Sequence, residues 1–408
     1  MNKVELLAPA GDMERLKSAI KYGADAVYLA GNSFGLRANA KNFDLDSINE
    51  AVKYAHSRNV KIYVTMNIIP HDKDLIGIED YIREIDKYKV DALIISDPGI
   101  FMIAKNIVKN AQLHISTQAS VTNSATINFW YNQGVKRVIL ARELSLDEII
   151  EIRKEIPKDL EIEVFVHGAM CISYSGRCLL SNYMTGRDAN RGDCAQACRW
   201  KYALQEEKRP GEYYPVYEDE NGTYIFNSKD LCMLQDVDKL INAGINSLKI
   251  EGRMKTSYYV STVIRSYRHV IDSYYDGNFN EKTIKKFKEE IEKASHRYFT
   301  KGFFDGKPDK NAQIYENSSY IRTYDFIGVV LDYDDNTKLV KVEQRNRFFT
   351  GEEIEIFGEG AEFHKLKIEK MYDDKMNEIE VANKAKQIVY FNVNFDASPG
   401  DFLRRKIK

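Results

Sequence analysis

Along residues 1–255, short apolar runs alternate with longer stretches in which apolar positions recur every three or four residues. The first pattern predicts strands and the second amphipathic helices. The strand-like runs are Val4–Ala8, Ala26–Ala30, Lys61–Asn67, Ala92–Asp97, Gln112–Gln118, Arg137–Arg142, Leu160–His167 and Ser247–Arg253. The helix-like stretches include Asp12–Tyr22, Asp46–Arg58, Ile78–Lys89, Thr122–Gln133 and Leu146–Glu155. The last follows Ser145–Glu148, whose S-x-x-E spacing is that of a capping box. Strand and helix in alternation imply parallel strands joined by helical crossovers. Eight strands make a (β/α)8 TIM-like barrel, an α/β fold. The rival is an open doubly wound sheet. Its dinucleotide-binding form needs a glycine-rich loop after the first strand, which Pro9-Ala10-Gly11 does not supply.

Parallel strands buried on both faces are usually apolar throughout, and several here are not. In the seventh, Ile162, Val164 and Val166 alternate with Glu161, Glu163, Phe165 and His167. In the eighth, Leu248 and Ile250 alternate with Ser247, Lys249, Glu251 and Arg253; in the fifth, Leu113, Ile115 and Thr117 alternate with Gln112, His114, Ser116 and Gln118. The polar sets are expected to line the barrel interior and its C-terminal mouth, where barrel enzymes keep their active sites. Charges there cost several kcal/mol each unless paired or liganded. An internal network joining Glu163 or Glu251 to Lys249 or Arg253 is the plain structural alternative to a site.

After His167 the rhythm breaks. Roughly 60 residues intervene before the helix-like Asp230–Ala243, far more than an ordinary βα loop holds. This insertion, residues 170–228, begins with a cysteine-rich stretch. It continues as a tyrosine-rich β-hairpin pattern with turns near Arg209-Pro210-Gly211 and Glu220-Asn221-Gly222. It leaves the C-terminal end of a strand and should cover the barrel mouth. Helical patterns follow at Thr256–Asp276 and Asn280–Ser295. From Tyr320 onward, short alternating strands and turns predict a small antiparallel β-barrel of roughly 85 residues. The expected domains are 1–319 and 320–408.

The chain has 408 residues, 44% of them apolar, so a sizeable core is available. A net charge of −2 gives no global basic field, although a local basic patch is compatible with it. No run has the apolar length of a signal peptide or membrane span, so a cytoplasmic protein with reduced thiols is expected. Cys171, Cys178, Cys194 and Cys198, spaced C-x6-C-x15-C-x3-C, then read as metal or cluster ligands rather than disulfides. The first pair is too far apart for a zinc knuckle, while four thiolates suit an iron–sulfur cluster. Zinc and unliganded redox thiols stay open at this point. Cys232 is expected on a helix as a small buried hydrophobe. His167, four residues before Cys171 at the end of the seventh strand, is a candidate active-site residue. No H-E-x-x-H and no G-x-S-x-G occurs, which leaves zincin and serine-elbow chemistry unsupported.

The stretches EVFVHGAMC (163–171), SGRCLLS (175–181) and NRGDCAQACR (190–199) together resemble the signature of the peptidase U32 family. The resemblance extends to ELLAPAGD, AVYLAG, FGLRANAKNF, STQASVTN, NSKDLCM, LKIEGRMK and PGDFLRR, spread over nearly the whole chain. It implies an iron–sulfur cluster, [4Fe–4S] foremost, on Cys171, Cys178, Cys194 and Cys198. It further implies oxygen-independent hydroxylation, linked to prephenate, of the tRNA wobble uridine to 5-hydroxyuridine. Other members hydroxylate a cytidine of ribosomal RNA or act in ubiquinone synthesis. The expected partners are a tRNA anticodon loop, a small carboxylate co-substrate and, as one arrangement, a paralogous partner subunit, with no membrane. Two alternatives accompany this reading: the collagenase-like peptidase of the family name, and a zinc-stabilised, non-catalytic RNA-binding protein. By strand-end position, Arg37, Arg142, Lys249 and Arg253 are candidate carboxylate clamps. Asn67 and Gln118 are candidate readers of a uracil edge, and Tyr28 a stacking partner for the base. His167, Lys249, Glu251 and Arg253 form the candidate catalytic set.

Overall fold

The structure is a computed structural model that describes residues 3–36, 42–171, 173–200, 203–204, 214–215, 227–306, 313–314 and 320–407. The chain folds as two compact units. The first comprises Met1–Ile20, Ala24–Lys255 and Arg297–Tyr320, and the second Lys21–Gly23, Thr256–His296 and Ile321–Lys408.

Eight parallel strands close the first unit: β1 (Glu5–Pro9), β2 (Ala26–Ala30), β3 (Lys61–Met66), β4 (Ala92–Ile95), β5 (Gln112–Ile115), β6 (Arg137–Ile139), β7 (Glu161–Ala169) and β8 (Ser247–Ile250). Each pairs with its neighbour, and β8 pairs with both β7 and β1, so the sheet is a closed barrel. Crossover helices include α1 (Met13–Lys21), α2 (Leu45–His56), α3 (Ile78–Lys87), α4 (Pro98–Ile107), α5 (Ser124–Asn132) and α6 (Leu146–Lys154). Local chemistry fixes their starts. Asp44, Asp97 and Asn123 each accept a hydrogen bond from a first-turn backbone N–H, and Pro98 occupies the first turn of α4. Ser145 and Glu148 form the expected reciprocal capping box at α6. Inside the barrel, Leu7, Tyr28, Tyr63, Ile94 and Ile139 form an apolar and aromatic cluster against which Phe165 packs. His114, Glu163 and Lys249, from the polar faces of β5, β7 and β8, are buried with them.

The long excursion after β7 contains the short helix α7 (Leu180–Thr185) and a strand pair, Ala203–Leu204 with Tyr214–Pro215. The two turns expected near 209–211 and 220–222 lie outside the described residues. Asp230–Cys232 does not start a helix, as its sequence pattern predicts. It forms a strand antiparallel to the end of β7, with Leu231 opposite Gly168 and Cys232 opposite His167. That edge of β7 extends past the barrel and needs backbone partners. Asp230 also forms a buried ion pair with Arg297, 2.6 Å. Helix α8 (Val237–Asn242) begins only after this strand. Cys232 is buried, as expected, but on this strand.

In the second unit, helices α9 (Ser257–Tyr275) and α10 (Glu281–Ile291) belong with an eight-stranded antiparallel sheet that curls around a core including Ile327, Val342, Phe348, Ile356, Phe391 and Leu403. This sheet is the small β module expected after Tyr320. Within the unit, Glu290 accepts from Arg265 and Arg404, and Arg404 also donates to Glu355, all of them buried. Among the described residues no helix is long and apolar enough to cross a membrane.

Candidate active site

At the C-terminal mouth of the barrel, beneath the cysteine segment, lies a cavity of about 180 Å³. All four expected ligand cysteines, each half-buried, line it. Opposite them stand Asn67 beyond β3, Gln118 beyond β5, Arg142 beyond β6, and Glu251 and Arg253 beyond β8; Tyr28 and Phe165 reach it from within the barrel.

The floor is built in layers. At the bottom, Glu163, fully buried, accepts from Lys249 Nζ at 2.7 Å and Arg137 Nη1 at 3.2 Å. Arg137 also bonds Glu5 at 2.5 Å, and Glu5 accepts from Tyr63 Oη and Ser247 Oγ. Burial lowers the pKa of the Lys249 ammonium, and Glu163 opposes the shift. Burial would also depress Arg137, but the Glu5 and Glu163 carboxylates outweigh it and hold the guanidinium charged. Above this layer lie two rings. Lys249 Nζ is 4.5 Å from the Tyr28 ring centroid and 5.3 Å from that of Phe165, within cation–π range. Tyr28 Oη donates to the Ile250 carbonyl at 3.0 Å, which fixes its tilt. Arg142 lies over the Phe165 ring and donates to the Ala169 carbonyl at 3.1 Å. Arg253 is buried, donating to Thr65 Oγ1 and the Leu36 carbonyl.

The cysteine segment is tied down between its ligand positions. Ser175, fully buried and with a left-handed φ of 45°, donates its backbone N–H and Oγ to the two Glu143 oxygens at 2.5 and 2.6 Å. Next to it, Gly176 has φ +85°, and a Cβ there would stand 2.6 Å from Gln118 Nε2. The left-handed backbone favours glycine here, and any larger residue would also push the Gln118 amide from its place on the cavity wall. Arg177 Nε donates to the Gln118 carbonyl at 2.7 Å. Asn190 grips the backbone of Cys178 in both directions, each bond 3.0 Å. The Gln196 N–H donates to Cys194 Sγ at 3.4 Å.

Of the residues expected from sequence, Tyr28, Asn67, Gln118, Arg142, Glu251, Arg253 and the four cysteines share the cavity wall. His167 and Lys249 are not part of that wall. At β7 the pairing with β8 skips Val166, a bulge that puts His167 opposite Ile250. Its ring packs against Phe299 instead, centroids 5.7 Å apart. Lys249 stays one layer down on Glu163, so the internal ion-pair reading holds for this pair. Arg37 lies outside the described residues. The sequence reading missed Glu143, Asn190 and the floor role of Phe165. Glu143 had one signal, a second charge directly after Arg142 at a strand end.

An all-sulfur donor set matches soft metals. Among the described residues no three Cys, His, Asp or Glu side chains stand where they could hold a single metal ion.

Fold and site together define a TIM-like barrel protein with a cysteine-bearing cover over a polar mouth. The chain belongs to peptidase family U32: the family's sequence profile matches residues 11–314, and the profile of its C-terminal domain matches 322–404. It is 43% identical to "tRNA hydroxylation protein P1" of Bacillus subtilis over 99% of this chain and 95% of that protein. To "tRNA hydroxylation protein P" of Escherichia coli it is 38% identical, over 87% and 86%. To "Collagenase" of Porphyromonas gingivalis it is 31% identical, over 99% and 98%.

Proposed function

We propose that this protein is an RNA-modifying hydroxylase that converts the wobble uridine of tRNA to 5-hydroxyuridine. The observation that carries the reading is one cavity in which four thiols face two arginines, two amides and an aromatic floor. The names of the Bacillus subtilis and Escherichia coli relatives support it; of two relatives with protease names, one from Methanocaldococcus jannaschii, called uncharacterized, is 39% identical and the one named collagenase 31%.

Cys171, Cys178, Cys194 and Cys198 would hold an iron–sulfur cluster, which supplies electron transfer at the cavity when bound. Four thiols on one cavity wall suit an iron–sulfur cluster. Tyr28 and Phe165 offer a flat apolar floor to an unstacked pyrimidine, the state in which RNA loops present their bases. Asn67 and Gln118 supply amide groups for its polar edge. Arg142 and Arg253 are the guanidinium groups on the wall and would take the carboxylate of a small co-substrate, prephenate in this reading. Glu251, beside them, is the acidic group in reach of the bound base. The anticodon loop is the RNA element that brings a wobble base here. A paralogous partner subunit and a cytoplasmic location belong to the same proposal.

The test uses a strain lacking the gene and its paralogues. Nucleoside mass spectrometry of its tRNA should lose 5-hydroxyuridine and its derivatives, and wild-type protein, but not a Cys194→Ala/Cys198→Ala variant, should restore them. Unchanged tRNA would refute the proposal. Metal analysis of anaerobically purified protein should find iron and sulfide. Zinc without sulfide would favour a metal-stabilised RNA-binding protein.

A further inference from the structure

Large apolar side chains exposed singly are ordinary, but several in one short segment are not. In the cysteine segment Leu179 is 78% exposed, Tyr183 87% and Trp200 47%. Their placement is ordered. Leu180 and Ser181 of α7 line the cavity. Leu179 and Tyr183 are one turn apart, linked by the Tyr183 N–H to the Leu179 carbonyl at 2.9 Å, and share the outer face. The helix lies against the turn Ala197–Arg199, and Trp200 follows directly on that turn. Two exposed arginines flank the patch: Arg177, anchored through Nε on the Gln118 carbonyl, and Arg187, paired with Asp193 at 2.8 Å.

We infer that this outer face of the cysteine segment is an RNA-docking surface. Leu179, Tyr183 and Trp200 would stack unpaired loop bases while Arg177 meets the phosphates. The inference rests on the RNA reading above. Aromatic platforms interleaved with cations are how proteins hold single strands with little sequence preference. The patch is continuous with the cavity, because the helix that bears it also forms the cavity wall. A loop held outside by its neighbouring bases can therefore deliver one flipped base inside. Arg187 and Asp193 form an exposed ion pair here, which leaves Arg177, whose Nη groups stay outside its bond to the Gln118 carbonyl, as the cation near Leu179 in the chain.

The test compares the full chain with a Tyr183→Ala/Trp200→Ala variant and with Arg177→Ala. The probe is an anticodon stem–loop RNA with uridine at the wobble position, its affinity read by fluorescence anisotropy. Iron content and elution volume in size-exclusion chromatography are measured on the same samples. The aromatic variant should bind at least about tenfold more weakly with iron content and elution volume unchanged. Arg177→Ala should flatten the salt dependence of binding. Affinity within twofold of wild type for the aromatic variant would overturn the inference. So would a wild-type dimer that this variant disperses, since the patch would then be a contact between copies. Weak binding by both variant and wild type would instead overturn the RNA reading itself.

Discussion

Glu143→Ala tests whether the cysteine segment is held from the barrel side. Ser175, midway between Cys171 and Cys178, is fully buried and gives both of its donors to the Glu143 carboxylate. Without that carboxylate, two buried donors lose their acceptor, at about 1–3 kcal/mol each. The left-handed backbone of Ser175 adds about 1–2 kcal/mol of strain that the two bonds now offset. A total of about 3–8 kcal/mol is more than a short irregular segment can hold, and local opening releases it without unfolding the barrel. Even about 2 kcal/mol of local opening corresponds to roughly a thirtyfold larger open population. The assay is iodoacetamide alkylation of reduced, chelator-stripped protein, followed by peptide mass spectrometry. Cys171 and Cys178 should react at least tenfold faster in the variant. Cys232, buried on its strand beside β7, should keep its wild-type rate, and Glu143→Gln, with one acceptor oxygen left, should fall between. Unchanged rates at Cys171 and Cys178 would refute the reasoning, as would a parallel rise at Cys232, which would mean global destabilisation.

Two further outcomes follow from the same kind of bookkeeping. In the second unit, burial alone would raise the Glu290 pKa, but Arg404, Lys293 and Arg265 outweigh it and hold it down to about 2 from 4.5. An acid depressed in the folded state stabilises above its unfolded pKa, and the gain disappears as pH falls from about 4.5 towards 2; at ~1.4 kcal/mol per unit it amounts to about 3 kcal/mol. Glu290→Gln should therefore lower the urea midpoint at pH 7, with the gap to wild type closing as the pH drops to 3, and equal midpoints at pH 7 would contradict this. Gly176→Ala places a methyl group against Gln118 Nε2 and forces alanine to φ +85°. It should cut 5-hydroxyuridine formation at least tenfold in the complemented strain while thermal unfolding shifts only slightly, and full modification would show that the close approach is unnecessary.

The barrel was legible because its strands carry their faces in their spelling. Glu163 and Lys249 alternate with apolar neighbours, and the structure puts both inside, paired with each other. The grouping of the four cysteines was legible too, from spacing and the reduced state of the expected compartment. His167 was misplaced for a specific reason. Alternation carries Phe165 and His167 to the same face, and a one-residue bulge, which has no signature in hydrophobic period, breaks that rule. Asp230–Cys232 was read as helix because local pattern cannot see the open edge of β7 or Arg297, whose partner lies 67 residues away. Glu143 and Asn190 are single polar residues whose partners lie elsewhere in the chain, Ser175 32 residues after Glu143 and Cys178 12 residues before Asn190.

The layering also separates charges that sequence alone groups together. Below the rings, Lys249 and Arg137 face Glu163 and Glu5, two cations against two anions, with Glu161 at the rim on Arg137. Such a layer is near neutral and projects little field through Tyr28 and Phe165, yet it fixes both rings from beneath. Arg142, over the Phe165 ring, and Arg253 line the cavity, as does Glu251. In the proposed reading an anionic ligand is met by these two guanidinium groups rather than by the polar interior as a whole. Lys249, held on Glu163 beneath the two rings, is placed to support the floor, and its substitution should disturb the placement of Tyr28 and Phe165 first.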